Sequence, residues 1–221
     1  MKRFSRIFIC LFVLFLSSAP LKALNSVNWL ARGGMLFITE DNDVASDPSP
    51  VLFSPGAAVR LSFLDFIALE ISLDFYGTNY AYSYSLDRAV PAAIENRSAF
   101  VFGTVLGVQA VYSFKPFDFW TIRVYGGPGI DMRFCLTASG LEGADKEDAA
   151  KQTKDVSSYF WGMGRWFYPV AGVGMDFVAT EKLLLGFDFR TWFPVYKLWD
   201  GVDLPGLEGW RFGLGFTITF R

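Results

Sequence analysis

The sequence contains no histidine among its 221 residues. Histidine is the side chain that most often acts as a general acid or base near neutral pH, and it activates the nucleophile in most serine and cysteine hydrolases. Its absence excludes catalytic sites of that kind and metal sites built on imidazole ligands. The chain also lacks a glycine-rich phosphate loop, zinc-ligand spacing and a calcium-loop motif. We therefore predict that the protein is not an enzyme and has no catalytic residues, no metal and no cofactor.

Cysteine and charge are also scarce. The chain has two cysteines, and charged residues make up only 19% of it. Cys10 lies in an N-terminal apolar run, so Cys135 would be left alone once a leader is removed, and an internal disulfide is excluded. In contrast, 52% of the residues are hydrophobic and 24 of them are phenylalanine. This composition does not fit an ordinary cytosolic domain.

Residues 1–23 have the features of a cleaved signal peptide. Basic residues precede an uninterrupted apolar run at 7–16, and small residues follow it. We place the cleavage after Ala23, because cleavage after Ala19 would leave a proline at the first mature position. The mature chain, 24–221, forms one predicted domain with 16 basic and 22 acidic residues, a net charge of about −6. This acidic balance argues against a nucleic-acid partner.

Large apolar residues alternate with polar or small ones along the mature chain, which is the period of a β-strand. In residues 67–75 one face carries only isoleucine, leucine and phenylalanine, and the other carries alanine, glutamate, serine and aspartate. The longest uncharged mature stretch that we considered for a helix, 98–114, falls short of the roughly 18 residues that cross a membrane and also alternates. Eight strands are predicted, at 29–38, 56–63, 67–75, 98–114, 119–134, 159–177, 183–193 and 210–221.

The predicted connections alternate in length, as they do in transmembrane barrels. The short ones lie near 64–66, 115–118 and 178–182, and the long ones near 39–52, 79–97, 135–158 and 194–208. A soluble sandwich or lipocalin-like barrel also alternates, but it keeps its apolar face inside. Here the apolar face holds bulky residues, and the opposite face holds small and ion-pairing residues that fit an eight-strand lumen. We predict an all-β fold: an eight-stranded antiparallel up-and-down transmembrane β-barrel.

The last strand ends in alternating apolar residues, finishing with Phe216, Ile218 and Phe220. This strand resembles the signal recognised by the outer-membrane barrel assembly machinery, although here Arg221 follows the aromatic residue that usually ends the signal. With the leader and eight strands, the whole mature chain resembles the small outer-membrane barrels, namely OmpW-like channels and the OmpX and OmpA transmembrane type. The resemblance implies a monomer in the outer membrane, extracellular long loops, and lipid and the assembly machinery as partners. The loose leader site suggests a spirochaete.

The polar face of the strands is predicted to line the lumen. A turn about Asp65 places Arg60 opposite Glu70 and predicts a cross-strand ion pair. Two interpretations stay open: the lumen charges neutralise one another and fill the space, or they form a track that conducts ions or selects a solute. The predicted lumen residues are Arg32, Arg60, Glu70, Asp74, Arg123, Asp131, Arg133, Asp176, Asp188, Arg190 and Arg211.

Two prolines in neighbouring predicted strands suggest a lateral exit. Proline cannot donate a hydrogen bond to a β-ladder, and Pro128 and Pro169 lie at similar distances from their short turns. In OmpW-like proteins an apolar pocket that opens sideways into the lipid is the proposed route for small hydrophobic molecules, and the resemblance implies such an exit here. Its predicted lining is Tyr125, Pro128, Met163, Trp166, Phe167, Pro169 and Trp192. The alternative is that both prolines stand where strand pairing ends.

Aromatic residues near the strand ends are predicted to anchor the barrel at the membrane–water interface. These residues are Trp29, Tyr76, Tyr112, Trp120, Trp161 and Trp210. In the long connections, 79–84 carries three tyrosines, and 142–155 carries mixed charges on helix-favouring residues. Either segment is a candidate surface for host ligands, or a variable solvated loop.

Two functional hypotheses follow. The first is a narrow OmpW-like channel, or porin, for small solutes that include hydrophobic molecules. The second is a surface-exposed adhesin, or a structural outer-membrane barrel, with a sealed lumen and with host ligands bound by the outer loops.

Overall fold

The computed structural model describes residues 24–40, 49–93, 99–137, 143–200 and 206–221. The predicted signal peptide, residues 1–23, lies outside the described residues, so the leader and the cleavage after Ala23 stay predictions. Within the described ranges the chain is mostly strand, with one long helix and two short helical segments.

The described ranges contain ten strands, which form one antiparallel sheet. The strands are β1 (Ser26–Ile38), β2 (Val51–Ser62), β3 (Ile67–Ser83), β4 (Arg88–Pro91), β5 (Ala99–Phe117), β6 (Trp120–Gly127), β7 (Gly129–Leu136), β8 (Val170–Thr180), β9 (Leu183–Trp192) and β10 (Arg211–Phe220). Helix α1 (Gly143–Trp161) and a 3-10 turn (Gly162–Gly164) connect β7 to β8, and helix α2 (Lys197–Asp200) lies between β9 and β10.

The sheet closes into a ring. β1 pairs with β2 on one side and with β10 on the other, and β3 pairs with both β2 and β5. β6 and β7 are two halves of one wall strand, because both pair with β5 in a single register that sets Gly126 opposite Ala110 and Ile130 opposite Leu106. β4 extends the end of β3 as a hairpin outside the ring. The wall therefore has eight strands, and the predicted closed antiparallel barrel is confirmed.

One predicted strand begins too early. The alternation predicts a sixth strand at 159–177, but Tyr159 belongs to α1 and β8 begins at Val170. The helix continues this far because Val156 and Phe160 bury their side chains against the wall. Tertiary packing thus overrides the local strand preference of an aromatic residue.

A second difference concerns the predicted loop at 79–97. β3 continues to Ser83, and β4 folds back on it with Tyr80 opposite Pro91 and Tyr82 opposite Ala89. Of the large outward side chains of β3, Phe75 is the last apolar one, so this hairpin stands beyond the apolar part of the wall. Two of the three tyrosines predicted to lie in a loop, Tyr80 and Tyr82, therefore lie on a strand, and Tyr84 lies in the turn of the hairpin.

The outward face of the wall is apolar and exposed. Phe53 is 70% exposed and Phe187 is 56% exposed. Neighbouring rings pack together along this face, as Phe187 and Phe216 do with centroids 5.5 Å apart. A surface made of such side chains suits lipid hydrocarbon rather than water.

The two ends of the barrel differ, as the predicted connection lengths require. One end, which we name the turn end, has short turns at 63–66, 118–119 and 181–182. The other, which we name the loop end, carries the β3–β4 hairpin, α1 and α2.

Helix α1 packs over the mouth of the lumen at the loop end. Its side chains Val156 and Phe160 are buried with Tyr80 of β3 and Val101 of β5. Tyr80 shares the inward side of β3 with Asp74, from which it is separated by an even number of residues. The helix therefore covers the inner face of the wall and not its lipid-facing side.

A closed barrel makes a direct prediction about gel mobility. We expect the refolded chain to migrate faster on an SDS gel before boiling than after it, because a ring of strands with no free edge resists the detergent until it is heated. The urea-unfolded chain that was never refolded is the control. Identical migration of unboiled and boiled samples of the refolded chain would contradict the closed ring.

Candidate functional site in the lumen and at the loop end

The structure buries all eleven residues that were predicted to line the lumen. None of them is more than 6% exposed, although every one carries a charge. Strand alternation accounts for this placement, because successive side chains of a strand point to opposite faces. Burying an unpaired charge costs several kcal/mol or more. The partners of these side chains therefore determine what the lumen can do.

A chain of ion pairs begins near the turn end. Arg123 lies 2.7 Å from Asp176, Asp176 lies 3.3 Å from Arg60, and Arg60 lies 2.8 Å from Glu70. Arg60 and Glu70 are also direct cross-strand partners. The turn about residue 65 therefore has the register that the sequence predicts.

The same chain of ion pairs continues toward the loop end. Glu70 accepts a hydrogen bond from Arg32, and Arg190 lies 2.6 Å from Asp74 and 3.1 Å from Asp188. Arg32 is within 3.9 Å of both aspartates. Four arginines and four carboxylates thus form one electrically balanced group. We name it the lumen network: Arg32, Arg60, Arg123, Arg190, Glu70, Asp74, Asp176 and Asp188.

Two pairs of the lumen network join opposite walls of the barrel. Around the ring the order is β1, β2, β3, β5, β6–β7, β8, β9 and β10. Arg60 on β2 meets Asp176 on β8, four strands away in either direction. Arg190 on β9 meets Asp74 on β3, again four strands away. Side chains therefore cross the full width of the lumen in two directions.

A second cluster lies nearer the loop end and is centred on Asp131. This carboxylate lies 2.7 Å from Arg133 and 2.6 Å from Arg211, and it accepts a hydrogen bond of 2.9 Å from the hydroxyl of Tyr76. The guanidinium of Arg133 also stacks 4.0 Å from the ring centre of Phe160 in α1. The cluster thus connects the wall to the helix over the mouth.

The prediction that Tyr76 anchors the barrel at the membrane interface is wrong. Tyr76 is only 3% exposed, and it points into the lumen because it stands two residues after Asp74 on the same face of β3. Sequence analysis also missed Tyr168, which is 1% exposed and accepts a hydrogen bond from Arg133. Its even separation from Asp176 was the signal that could have found it.

Glu40 is a further polar residue at the mouth that sequence analysis missed. It follows β1 and accepts a hydrogen bond of 2.6 Å from the hydroxyl of Tyr80, with Arg211 3.8 Å away. Burial raises the pKa of Glu40 above its usual value, and the positive charge of Arg133 opposes that shift. Glu40 lies in a predicted loop, where no alternation marks the inward side.

The two prolines stand opposite each other in the wall. The register of β6 and β8 sets Gly127 opposite Val170, so the adjacent residues, Pro128 and Pro169, face one another across the strands. Both lie at outward positions of their strands. The prediction that they share one height is consistent with this register.

The ladder between the two proline-bearing strands continues past them. The amide of Tyr168 donates to the carbonyl of Gly129 at 2.9 Å, and the amide of Asp131 donates to the carbonyl of Trp166 at 2.8 Å. An opening between these strands would have to break both hydrogen bonds. The lateral exit therefore stays a prediction that requires movement of the wall.

Proline has no backbone N–H, and at both positions the hydrogen bond that is lost would have pointed away from the other proline. The carbonyl of Pro128 accepts from Val108 of β5 at 3.0 Å, and the carbonyl of Pro169 accepts from Phe193 at 2.9 Å. In an antiparallel ladder the N–H and C=O of one residue point to the same neighbouring strand. Proline thus removes hydrogen bonds toward β5 and β9, and none between the two proline-bearing strands.

The seven predicted exit residues do not line one surface. Tyr125 and Trp192 point inward and are 3% and 5% exposed. Met163 and Trp166 lie in the connection from α1 to β8 and are 55% and 36% exposed. Phe167 and the two prolines occupy outward positions of the wall.

A ring of eight strands with an apolar outer face and a paired, charged interior defines a transmembrane β-barrel. No helix within the described ranges is long and apolar enough to cross a membrane.

Solved structures with this fold include small outer-membrane barrels. The OmpW-like protein OprG of Pseudomonas aeruginosa has a TM-score of 0.53 at 10% identity, with 90% of this chain and 97% of OprG covered. Neisserial surface protein A has a TM-score of 0.46 at 12% identity, covering 88% of this chain and 95% of its own. The Yersinia pestis attachment invasion locus protein, Ail, has a TM-score of 0.46 at 9% identity, covering 88% and 96%.

No protein-family model and no curated protein sequence matches this chain. The likeness to OprG establishes the fold that the sequence resemblance implied, that of the small eight-stranded barrels. Nothing in these comparisons supports the spirochaetal origin suggested by the leader.

The lumen network predicts a large effect of Asp176→Asn. The substitution keeps the volume but removes the carboxylate that pairs with Arg123 and Arg60, leaving Arg123 buried at 0% exposure without this partner. We expect the free energy of unfolding to fall by about 3 kcal/mol, measured by denaturant titration of tryptophan fluorescence in lipid vesicles. Asp118→Asn, in the exposed β5–β6 turn, is the matched control. Equal denaturation midpoints for the two variants would contradict this role of Asp176.

Two strand glycines give a paired test of lumen packing. A Cβ atom at Gly103 would collide with the ring of Tyr76, whereas a Cβ at Gly33 would meet nothing within 4 Å. We expect Gly103→Ala to displace Tyr76 from Asp131 and to lower the temperature of the heat-induced gel shift, because close approach is what the glycine allows. Gly33→Ala should leave that temperature unchanged. A Gly103→Ala barrel as heat-stable as the Gly33→Ala barrel would show that the ring can move without cost.

Proposed function

We propose that the protein is an outer-membrane barrel with a sealed lumen, and that it acts as a surface recognition protein through its loop end. The observation that carries this proposal is the pair of ion contacts across the full width of the lumen, Arg60 with Asp176 and Arg190 with Asp74. Separating these side chains would leave buried charges without partners, at a cost of several kcal/mol. In this arrangement the side chains that cross the lumen block a continuous path for ions or solutes.

The outer-membrane location has three supports. The predicted leader directs export, the closed barrel suits a bilayer, and the terminal strand with Phe216, Ile218 and Phe220 resembles the signal read by the assembly machinery. Phe216 and Phe220 are 39% and 50% exposed on the outward face of β10, where the assembly machinery can contact them before the barrel enters the membrane. In this arrangement the loop end faces the medium and the turn end faces the periplasm.

The cap over the mouth further supports a sealed barrel. The Asp131 cluster lies beneath α1, and Arg133 and Phe160 join the two. A solute entering from the loop end would first meet this helix and then the lumen network. At the turn end a cavity of about 90 Å³ is lined by Arg60, Arg123 and Asp176, so a solute entering there meets the network directly.

The channel hypothesis makes the opposite prediction about conductance. We expect the refolded full chain to give no discrete openings in planar bilayers. A variant that removes both cross-lumen pairs, with Arg60, Asp74, Asp176 and Arg190 all changed to alanine, should conduct, because it removes the side chains that cross the lumen. It also keeps the network neutral, because it removes two cations and two anions. The control removes two exposed residues of opposite charge from the β8–β9 turn, Glu181→Ala with Lys182→Ala, which do not line the turn-end cavity, and it should stay silent.

Discrete openings of the unaltered chain in planar bilayers would contradict the sealed-lumen proposal. Uptake of a hydrophobic fluorescent probe into liposomes containing the unaltered chain would favour the lateral exit instead. Failure of the fourfold variant to conduct, in a barrel that still shows the gel shift, would locate the seal in α1 and the Asp131 cluster and not in the two cross-lumen pairs.

A further inference from the structure

An open basin lies at the loop end between the β3–β4 hairpin and α1. Its volume is about 430 Å³, within the range of roughly 300–1,000 Å³ that small-molecule sites occupy. Three tyrosine rings and both signs of charge line it. The lining residues used below are Tyr82, Tyr84, Tyr159, Asp87, Asp155 and Arg165.

Two of the three tyrosine rings, those of Tyr82 and Tyr84, are held by hydrogen bonds and by contact with each other. Tyr82 donates to Asp87 at 2.5 Å, Tyr84 donates to Asp155 at 2.8 Å, and the two rings meet edge to face with centroids 5.2 Å apart. The hydrogen bond to Asp87 raises the pKa of Tyr82 to about 12, because it stabilises the protonated hydroxyl. The backbone amide of Tyr82 also donates to Gln152 of α1 at 2.7 Å. A surface ordered before binding loses less entropy when a ligand arrives.

The basin combines hydrogen-bond acceptors with an exposed ring. An ionised carboxylate has about four acceptor positions, and the hydrogen bonds from the tyrosines use one position each on Asp87 and Asp155. Tyr84 remains 56% exposed, so part of its ring is open to a ligand. Such a site suits a molecule that presents several hydroxyl donors and an apolar C–H face.

The charges around the basin balance one another. Lys151 lies 4.9 Å from the ring centre of Tyr84, and Arg165 lies 3.9 Å from that of Tyr159. These two cations offset Asp87 and Asp155. A cationic ligand would compete with the chain's own cations for the rings, and an anionic ligand would meet both carboxylates. A neutral ligand avoids both conflicts.

We propose that this basin binds a neutral sugar residue of a glycan, with Tyr84 stacking on the sugar ring and Asp87 and Asp155 accepting hydrogen bonds from its hydroxyl groups. The proposal rests on the proposed function, because it gives the sealed barrel's outer surface a ligand class. The sugar can belong to a free glycan or to a glycolipid of a membrane, and both present the same chemistry.

The test uses the refolded full chain in a detergent without a sugar headgroup. The probes are the methyl glycosides of glucose, galactose, mannose and N-acetylglucosamine. Their binding is measured by saturation-transfer NMR and calorimetry. Point variants are preferable to deletion of 79–97, because that deletion would remove Tyr80 and Val90, which are fully buried. We use Tyr84→Ala, Asp155→Asn and Asp87→Asn, the last because asparagine accepts the positive φ of 51° at this position.

We expect at least one glycoside to bind, and each variant to weaken it by about tenfold, the effect of losing one hydrogen bond to a charged group or one stacked ring. Asp148→Asn is the matched control. It makes the same change at an exposed position of α1 that does not line the basin, and it should bind like the unaltered chain.

Three results would overturn the proposal: no glycoside binds; a glycoside binds equally well to the basin variants and to Asp148→Asn; or only the cationic probe spermidine binds. If the unaltered chain stays silent in bilayers while these results appear, the sealed barrel stands and only the sugar site falls. Openings in bilayers together with variant-sensitive glycoside binding would leave the site standing and remove the sealed lumen.

The source of the sugar is resolved by how it is presented. The glycoside that binds is attached to a lipid and placed either in the vesicle that holds the barrel or in separate vesicles. Binding only within the same vesicle assigns the site to the glycolipids of its own membrane. Capture of separate vesicles assigns it to a glycan of another surface, and Asp155→Asn should weaken whichever of the two is seen by about tenfold.

Discussion

Charge neutralisation inside an enclosed lumen is the constraint on which the rest of this structure depends. A guanidinium as buried as that of Arg123 persists only beside a carboxylate such as Asp176. Because the partners come from strands far apart in the sequence, the network is complete only when the ring is closed. A slip of one residue in any strand would move its charges onto the lipid face. The ion pairs therefore select one register and one strand number.

This constraint also determines where binding can occur. A lumen filled by paired side chains has little room for a solute, as expected for a barrel of eight strands. The apolar outer face is committed to lipid, which leaves the two ends. The turn end offers short connections, whereas the loop end presents the β3–β4 hairpin, α1 and α2. Variation at the loop end changes what the barrel contacts without disturbing the charges below.

Local pattern and long-range closure account for what the sequence could and could not predict. Alternation is a property of one strand, so it identified the inward residues, and a short turn was enough to pair Arg60 with Glu70. The contact between Arg190 and Asp74 spans 116 positions and depends on how far each strand is shifted along its neighbour around the closed ring, which no local pattern contains. The inward packing of Phe160 was missed for the same reason, because its partners lie on other strands. Tyr76 was assigned to the membrane interface because it is a tyrosine, although its separation of two residues from Asp74 already placed it on the inward face of β3.

Helix α1 can be regarded as a ligand that the barrel carries on its own chain. It is tethered by β7 and β8, so its effective concentration at the mouth is set by those connections and not by supply from solution. The inner surface that it covers, which includes Tyr80 and Val101, is an apolar receptor site already occupied. The cap is thus held by one connection of the chain, whereas the wall is held by the ladders that join all eight strands.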